Sequence, residues 1–370
     1  MIKITCREIK ECIGSAFQEF MNDYVNNIIN QHTINRNRSI QCFKSFIGRI
    51  LRRLGYEVRK IRSSYYYFSD EEKKWALDFL LYVINNCSSL EFDLKLFEHD
   101  KERYEIVKFI RNKIFTAILP RIKKRKIFDE EDLLYQHKYA EFRSKIRKLG
   151  SYYILELDDR KYLLPINHFE PVVFYHRYGL DILPKNVLEN VANKDFIDAG
   201  AFIGDSALIL NELSPRRIYA FEPIKDNVII LQKTLSINNL NNVIIVEKAL
   251  SNIEGTKKII GYGSISFVSN SGVDVVETTT IDNFVRQHEV DVGLIKMDIE
   301  GSELEALRGG IATIKSKKPM LIVSVYHRGQ DFFEIPKLLK SIVPEYKFRF
   351  LNLNRKHPTF ERVLIAYIEN

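Results

Sequence analysis

From residue 187 to the C-terminus, short apolar runs alternate with helical stretches. This alternation constrains the fold more than any other feature of the 370-residue chain. The runs at 195–199, 216–221, 243–247, 293–299, 319–326, 346–353 and 362–368 read as strands, being short, apolar and bounded by turn residues. Helices are expected near 204–213, 224–239, 279–288, 302–315 and 331–341. Strands separated by helices build a doubly wound, mostly parallel sheet with ligands at the strand carboxyl ends. Only residues 354–360 join the last two strands, so these are expected to close one edge as an antiparallel hairpin.

Residues 1–149 read as a helical domain. Ile9, Cys12, Ile13, Phe17 and Phe20 recur at helical spacing, and similar patterns cover 38–54, 70–88 and 102–119. Ser69-Asp-Glu-Glu is a good helix start, and the stripe of Trp75, Phe79 and Tyr82 behind it reads as core. Near residue 150 the period changes to two, and 151–157 and 161–166 read as a β-hairpin opening a connecting segment, 150–185. The domain at 186–370 then follows.

The first strand breaks into a glycine loop, DFIDAGAFIGD, at residues 195–205. A dinucleotide fold would need G-x-G-x-x-G, and a phosphate loop would need G-x-x-x-x-G-K-[ST]. Neither is present. The spacing is D-x-G-x-x-x-G, from Asp198 through Gly200 to Gly204, which suits S-adenosylmethionine, a nucleoside without phosphate. The expected donor contacts here are Asp198, Ala199, Gly200, Ala201, Gly204 and Asp205, the glycines letting the backbone approach the ligand. The second strand ends in IYAFEP, and Glu222 at its carboxyl end is placed to accept the ribose hydroxyls. Ala249 and Leu250, after the third strand, are expected beside the adenine.

DFIDAGAFIGD, IYAFEP, TTTIDNF and IKMDIEGSELEALRGG, in this order, resemble the FkbM-type family of S-adenosylmethionine-dependent methyltransferases over about residues 165–370. VSVYHRGQDFFEIP resembles a bacterial branch of it. The resemblance implies a Rossmann-like fold that transfers a methyl group from S-adenosylmethionine to a hydroxyl, often of a sugar or a polyketide-like product.

Methyl transfer to oxygen needs an in-line approach and a group that takes the proton. Lys296, Asp298 and Glu300 alternate toward one face at the end of the fourth strand, and His327 ends the fifth. His327 is the expected general base, because imidazole titrates near neutral pH; otherwise it is a hydrogen-bonded strand-end histidine. Asp298 would orient it, act as base, or shape the donor pocket. Lys296 would lower the acceptor's pKa, unless it is tied up with Asp298 or Glu300. No metal is expected, although Asp298, Glu300 and Glu303 would suit magnesium; capping of the helix after Gly301 explains these acids equally well. His168 and His176 are held in reserve as neighbours of the donor pocket. The glycines of Gly261-Tyr-Gly-Ser-Ile-Ser266 would let that segment cover the acceptor, if it is more than a surface connection.

The net charge of +8 is uneven. Residues 1–150 hold 30 Lys and Arg against 20 Asp and Glu, whereas residues 151–370 hold 26 against 28. The basic part suits an anionic surface, or simply presents solvated helical faces. A nucleic-acid acceptor is disfavoured, because the part carrying the motifs has no positive surplus; a module that binds donor without catalysis is the other alternative. The N-terminal helices would serve acceptor binding or oligomerisation. Cys6, Cys12, Cys42 and Cys87 have no metal-type spacing, and the N-terminal residues lack the apolar core of a signal peptide. A cytoplasmic location is expected, with a carbohydrate or glycoconjugate as partner.

Overall fold

The computed structural model describes residues 65–86, 90–119, 121–262, 265–268 and 274–369, with positions 3, 4, 11 and 14. The helical patterns expected at 2–30 and 38–54, His32 and the four cysteines lie outside the described residues.

Seven strands form the main sheet: β1 (Asp195–Ala199), β2 (Arg217–Phe221), β3 (Val243–Val246), β4 (Val292–Met297), β5 (Met320–Ser324), β6 (Lys347–Asn352) and β7 (Arg362–Tyr367). Their spatial order is β3-β2-β1-β4-β5-β7-β6. The first five run parallel, and β7 pairs antiparallel with both β5 and β6. This is the α/β, Rossmann-like, doubly wound sheet with a terminal hairpin that the alternation required. Order reverses between β1 and β4, which opens a crevice above their carboxyl ends.

Every residue of β1, β4, β5 and β7 is buried, as befits strands covered on both faces. Successive residues serve opposite faces. Ile197, Tyr219, Ile295 and Leu321 enter one core, while Phe196, Ile218, Leu294 and Ile322 enter the other. The first core is covered by helices α1 (Asp70–Asn85) and α2 (Asp100–Ile118) among others. The second is covered by the segment around the hairpin of Tyr152–Leu157 with Arg160–Leu164, through Tyr162, Leu164, Phe174 and Leu180. Residues on both sides of position 150 therefore pack on this sheet.

Ser69 caps α1: its hydroxyl accepts from the Glu72 N–H at 3.1 Å, and Glu72 accepts from the Ser69 N–H at 2.8 Å. Trp75 and Phe79 are buried, as the stripe predicts. Further on lie α3 (Glu130–Ser144), α4 (Asp205–Asn211), α5 (Lys225–Ile237), α6 (Ile281–Gln287), α7 (Glu303–Arg308), α8 (Ile311–Lys317) and α9 (Gly329–Ile342). Phe79 packs on Phe332 and Phe333 of α9, and the Asp78 carboxylate accepts the Gly329 N–H at 3.0 Å, satisfying one open donor of that helix.

Three local expectations change. The single helix expected at 302–315 is α7 and α8, broken at Gly309-Gly310; a Cβ at Gly309 would sit 2.1 Å from the Ser251 carbonyl oxygen. A strand, Ile146–Leu149, precedes the hairpin and makes it a three-stranded sheet. Residues 249–279, expected to hold only a turn and a loop, carry a second sheet of Ala249–Leu250, Gly255–Tyr262, Ile265–Val268 and Asp274–Thr279. Gly261 pairs with Ser266 and Tyr262 with Ile265, so most of the expected cover loop belongs to an antiparallel pair. Among the described residues, no helix is long and apolar enough to cross a membrane.

Candidate active site

The glycine loop turns tightly above β1. The N–H groups of Gly200 and Ala201 both donate to the Phe221 carbonyl at 3.0 Å, binding the loop to the end of β2. Gly200 has φ +76°, and a Cβ there would meet the Asp298 carbonyl oxygen at 1.9 Å. Gly204 has φ +85° at the start of α4. Both glycines are thus required by backbone conformation and by close approach.

Glu222 is buried one residue past β2. It accepts from the N–H groups of Phe202 (2.9 Å) and Ile224 (3.0 Å) and from the Asn227 amide (3.2 Å). Burial nevertheless outweighs these bonds and pushes its pKa up to about 7. The carboxylate is therefore locked beside the glycine loop by groups of the loop and of α5. Asp198 faces the other way. Its register partner across β1 and β4 is Lys296, and the two form a buried ion pair at 3.1 Å. Asp198 also accepts from the Ser206 hydroxyl at 2.5 Å, and Lys296 donates to the Gly200 carbonyl at 2.8 Å. Asp198 and Lys296 thus brace the loop. The partner of Lys296 is neither of the two acids expected from the sequence. Replacing Lys296 with methionine should cost about 3–5 kcal/mol by stranding a buried carboxylate; a melting temperature within a degree of wild type would contradict the bracing role.

Gly200, Phe202, Asp205, Lys296, Asp298 and Glu300 line one cavity of about 420 Å³ at the carboxyl ends of β1 and β4. Its other walls come from far along the chain: Ser69 and Glu71 at the start of α1, Glu170, Tyr178, and Phe360 with Glu361 before β7. His168 also lines it, edge-on to Phe202 at 5.1 Å. His176 does not; it is bonded to the Tyr139 hydroxyl at 2.5 Å, and burial lowers its pKa to about 3. Ala201 and Leu250 are buried and Ala249 is half-buried, all three away from the cavity lining.

His327 lies behind this wall with no exposed surface. Its Nδ1 is 3.1 Å from Glu303 Oε1, and its Nε2 is 3.3 Å from Glu300 and 3.8 Å from Asp298. Trp75 packs edge-on against its ring at 5.3 Å. Although burial alone would lower its pKa, the carboxylates, Glu303 foremost, raise it to about 10. Held as an imidazolium, His327 has the opposite charge state from a general base. Period-two spacing brought Lys296, Asp298 and Glu300 to one cavity, but gave no sign that three acids would surround the histidine. Glu303 also accepts the Ile299 N–H at 2.9 Å, so it does hold the turn before α7. That turn needs Gly301 at φ +88°.

A glycine loop braced over the crevice between β1 and β4, an acid past β2 bonded to that loop, and a cavity beside the loop sit on a Rossmann-like methyltransferase fold. The family model described as the methyltransferase FkbM domain matches residues 198–350. The crystal structure of the methyltransferase FkbM from Methylobacillus flagellatus KT shares the fold, at 18% identity and a TM-score of 0.50, over 88% of this chain and 70% of that one. The M. jannaschii TYW2 structure with AdoMet is similar over 60% of this chain and 87% of that one, at 12% identity and a TM-score of 0.32. An rRNA methylase from Streptococcus thermophilus is similar over 55% and 100%, at 12% identity and 0.34. Neither of these two likenesses bears on the activity here. No curated protein matches the chain.

Proposed function

We propose that the protein transfers a methyl group from S-adenosylmethionine to a hydroxyl of a sugar or glycoconjugate. The observation that supports this reading is the composition of the cavity wall. Six carboxylates line it, those of Glu71, Glu170, Asp205, Asp298, Glu300 and Glu361, among Val172, Val173, Tyr178, Tyr326 and Phe360. Carboxylates accept hydrogen bonds from hydroxyl groups, and apolar and aromatic surfaces take the C–H faces of a sugar ring. Burial raises five of the six carboxyls, Glu300 to about 8, so the wall donates as well as accepts; with no positive surplus in residues 151–370, it offers little to a polynucleotide despite the basic N-terminal part.

In this reading Glu222 holds the ribose, and the glycine loop takes the methionine portion of the donor. The acceptor oxygen attacks the methyl carbon, the carbon–sulfur bond breaks, and its electron pair stays on sulfur as the neutral thioether. The hydroxyl proton passes to the Asp298 carboxylate, which lines the wall and lies 3.8 Å from His327 Nε2; burial raises Glu300 to about 8, so it keeps its own proton. The buried His327 imidazolium offsets the negative charge of Asp298. The protein reads as a catalyst, since donor-only binding would have no use for this acid-lined cavity.

The test is transfer of label from methyl-labelled S-adenosylmethionine to neutral glycans, to RNA and to DNA in parallel. Label in a glycan alone is expected; salt-sensitive label in RNA would replace this reading. Glu71→Gln should raise the acceptor KM about tenfold, the loss of one hydrogen bond to a charged group, while donor affinity stays unchanged. An unaltered KM would remove α1 from the acceptor site.

A further inference from the structure

The cavity wall holds an imidazole that methyl transfer, as written above, leaves unused. His357 lies in the connection between β6 and β7 and lines the cavity with Asn354 and Phe360. Its side chain is 36% exposed, and its ring stacks on Phe360 with centroids 5.7 Å apart. Its Nδ1 stands 3.2 Å from the Tyr66 hydroxyl oxygen, and that hydroxyl donates to Glu72 Oε1 at 2.9 Å. Tyr66 belongs to a short strand, Tyr65–Tyr67, paired with Arg121–Lys123. Phe68 and Phe128 hold its ring edge-on, each at 5.4 Å. Glu72 is buried, and its Oε2 accepts the Ser69 N–H at 2.8 Å in the cap of α1. A buried acid, a phenol and an imidazole thus form one chain that ends at the cavity.

This chain decides where the imidazole keeps its hydrogen. Burial works against ionising Glu72, but bonds from His357, Ser69 and Tyr66 outweigh it and lower the pKa. An ionised carboxylate only accepts, and Tyr66 has a single O–H, so that hydrogen is committed to Glu72. The Tyr66 oxygen must then accept from Nδ1–H. In its neutral form the imidazole therefore presents a bare lone pair at Nε2. Among the described residues, no side chain donates to that nitrogen.

We infer that His357 Nε2 accepts a second hydroxyl of the acceptor, one that is not methylated, with the Phe360 ring against the adjoining C–H face. This role rests on the sugar reading, in which Asp298 takes the proton of the reacting hydroxyl. A sugar carries several hydroxyls on one ring, and each can donate to a fixed acceptor. A polar acceptor beside an aromatic face fixes both the position and the orientation of such a ring. His357 is then a specificity residue, because an analogue without the second hydroxyl leaves Nε2 unpaired. Tyr66 and Glu72 are positioning residues, acting only through His357.

The first test reads the tautomer and needs no acceptor. In the full chain carrying isotope-labelled histidine, long-range proton–nitrogen NMR should show His357 as the Nδ1–H form, its signal assigned by loss in His357→Phe. Tyr66→Phe should shift that signal toward Nε2–H. A wild-type Nε2–H tautomer would overturn the proposal. The second test uses the neutral glycans of the transfer assay. His357→Phe keeps a ring against Phe360 and should raise the acceptor KM about three- to tenfold, the loss of one neutral hydrogen bond, with kcat within about twofold. Tyr66→Phe should raise KM in the same direction with His357 itself intact, which a mere packing role would not produce. Melting temperatures identify any variant that fails to fold, and His357→Phe with the wild-type spectrum decides the matter without Tyr66→Phe. An unchanged KM in His357→Phe sinks this role alone, as does a collapse of kcat, which would make His357 the base. Absence of label from every neutral glycan overturns the sugar reading and this role together, and the spectrum tells the two failures apart.

Discussion

Glu222→Ala is expected to raise the Kd for S-adenosylmethionine by at least a hundredfold, measured by calorimetry. Two ribose hydroxyls donating to a buried carboxylate contribute about 1.5–3 kcal/mol each, since charged acceptors make the stronger bonds. Glu222→Gln keeps the shape and one acceptor oxygen, so its loss should be smaller. The pH dependence is a sharper signature. Folding raises the Glu222 pKa from near 4.5 to about 7 through burial. Between those values the folded chain keeps a proton that the unfolded chain has released. This group therefore favours folding at and below about pH 4.5, and that contribution is lost as the pH rises through 7. Donor binding runs the other way, because the hydroxyls require the ionised form. Affinity should increase from pH 6 to pH 8, and the Gln variant should show a flat profile. Equal affinity of wild type and Glu222→Ala would remove the ribose assignment.

Gly200→Ala should lower turnover by roughly two orders of magnitude or more, the scale set by misplacing reacting groups by about an ångström. The added Cβ would stand 1.9 Å from the Asp298 carbonyl oxygen and 3.3 Å from the Ile299 side chain, at φ +76°. Backbone must yield, and the backbone concerned carries Asp298 on one side and the Lys296 bond to the Gly200 carbonyl on the other. Stability should fall by about 1–3 kcal/mol from strain alone. Gly204→Ala is the control: it shares the positive φ, at +85°, but its Cβ would meet the Leu231 side-chain tip at 2.5 Å, which can rotate away, so it lacks the backbone clash of Gly200. A smaller loss of turnover is expected there. If Gly200→Ala turned over at the wild-type rate, the loop and the Asp298 turn would have to be independent.

The parts of the site visible before folding are those that rest on short-range chemistry. The D-x-G-x-x-x-G spacing, the acid past β2 and the run Lys296-Met-Asp-Ile-Glu are local patterns; the structure brings Gly200, Lys296, Asp298 and Glu300 to one cavity and bonds Glu222 to the loop behind it. Ser69-Asp-Glu-Glu was legible as a helix cap for the same reason. Its second use was not. Glu71, Glu170 and Glu361 reach the cavity from segments 99 and 191 residues apart, and no periodicity links them. The charge state of His327 was hidden as well, because it depends on Glu303 across the turn before α7. Gly309 and Gly310 broke a helix that their neighbours would have continued, owing to the approach of Ser251 and Ile281. The small sheet at 249–279 was missed because its strands, GTKKIIGY among them, mix charge and glycine into their alternation.

The capped start of α1 also bears on how such an enzyme can be re-engineered. Ser69 and Glu71 wall the cavity, and Trp75 leans on His327, yet all three precede the recognisable domain by more than a hundred positions. Transplanting residues 198–350 into another scaffold would carry the glycine loop and leave this wall behind. Exchanging the leading helices would remove Ser69 and Glu71 from the wall and would also uncover the core that Phe79 shares with Phe332 and Phe333. The start of α1 and the sheet therefore have to be moved together for this cavity to keep its shape.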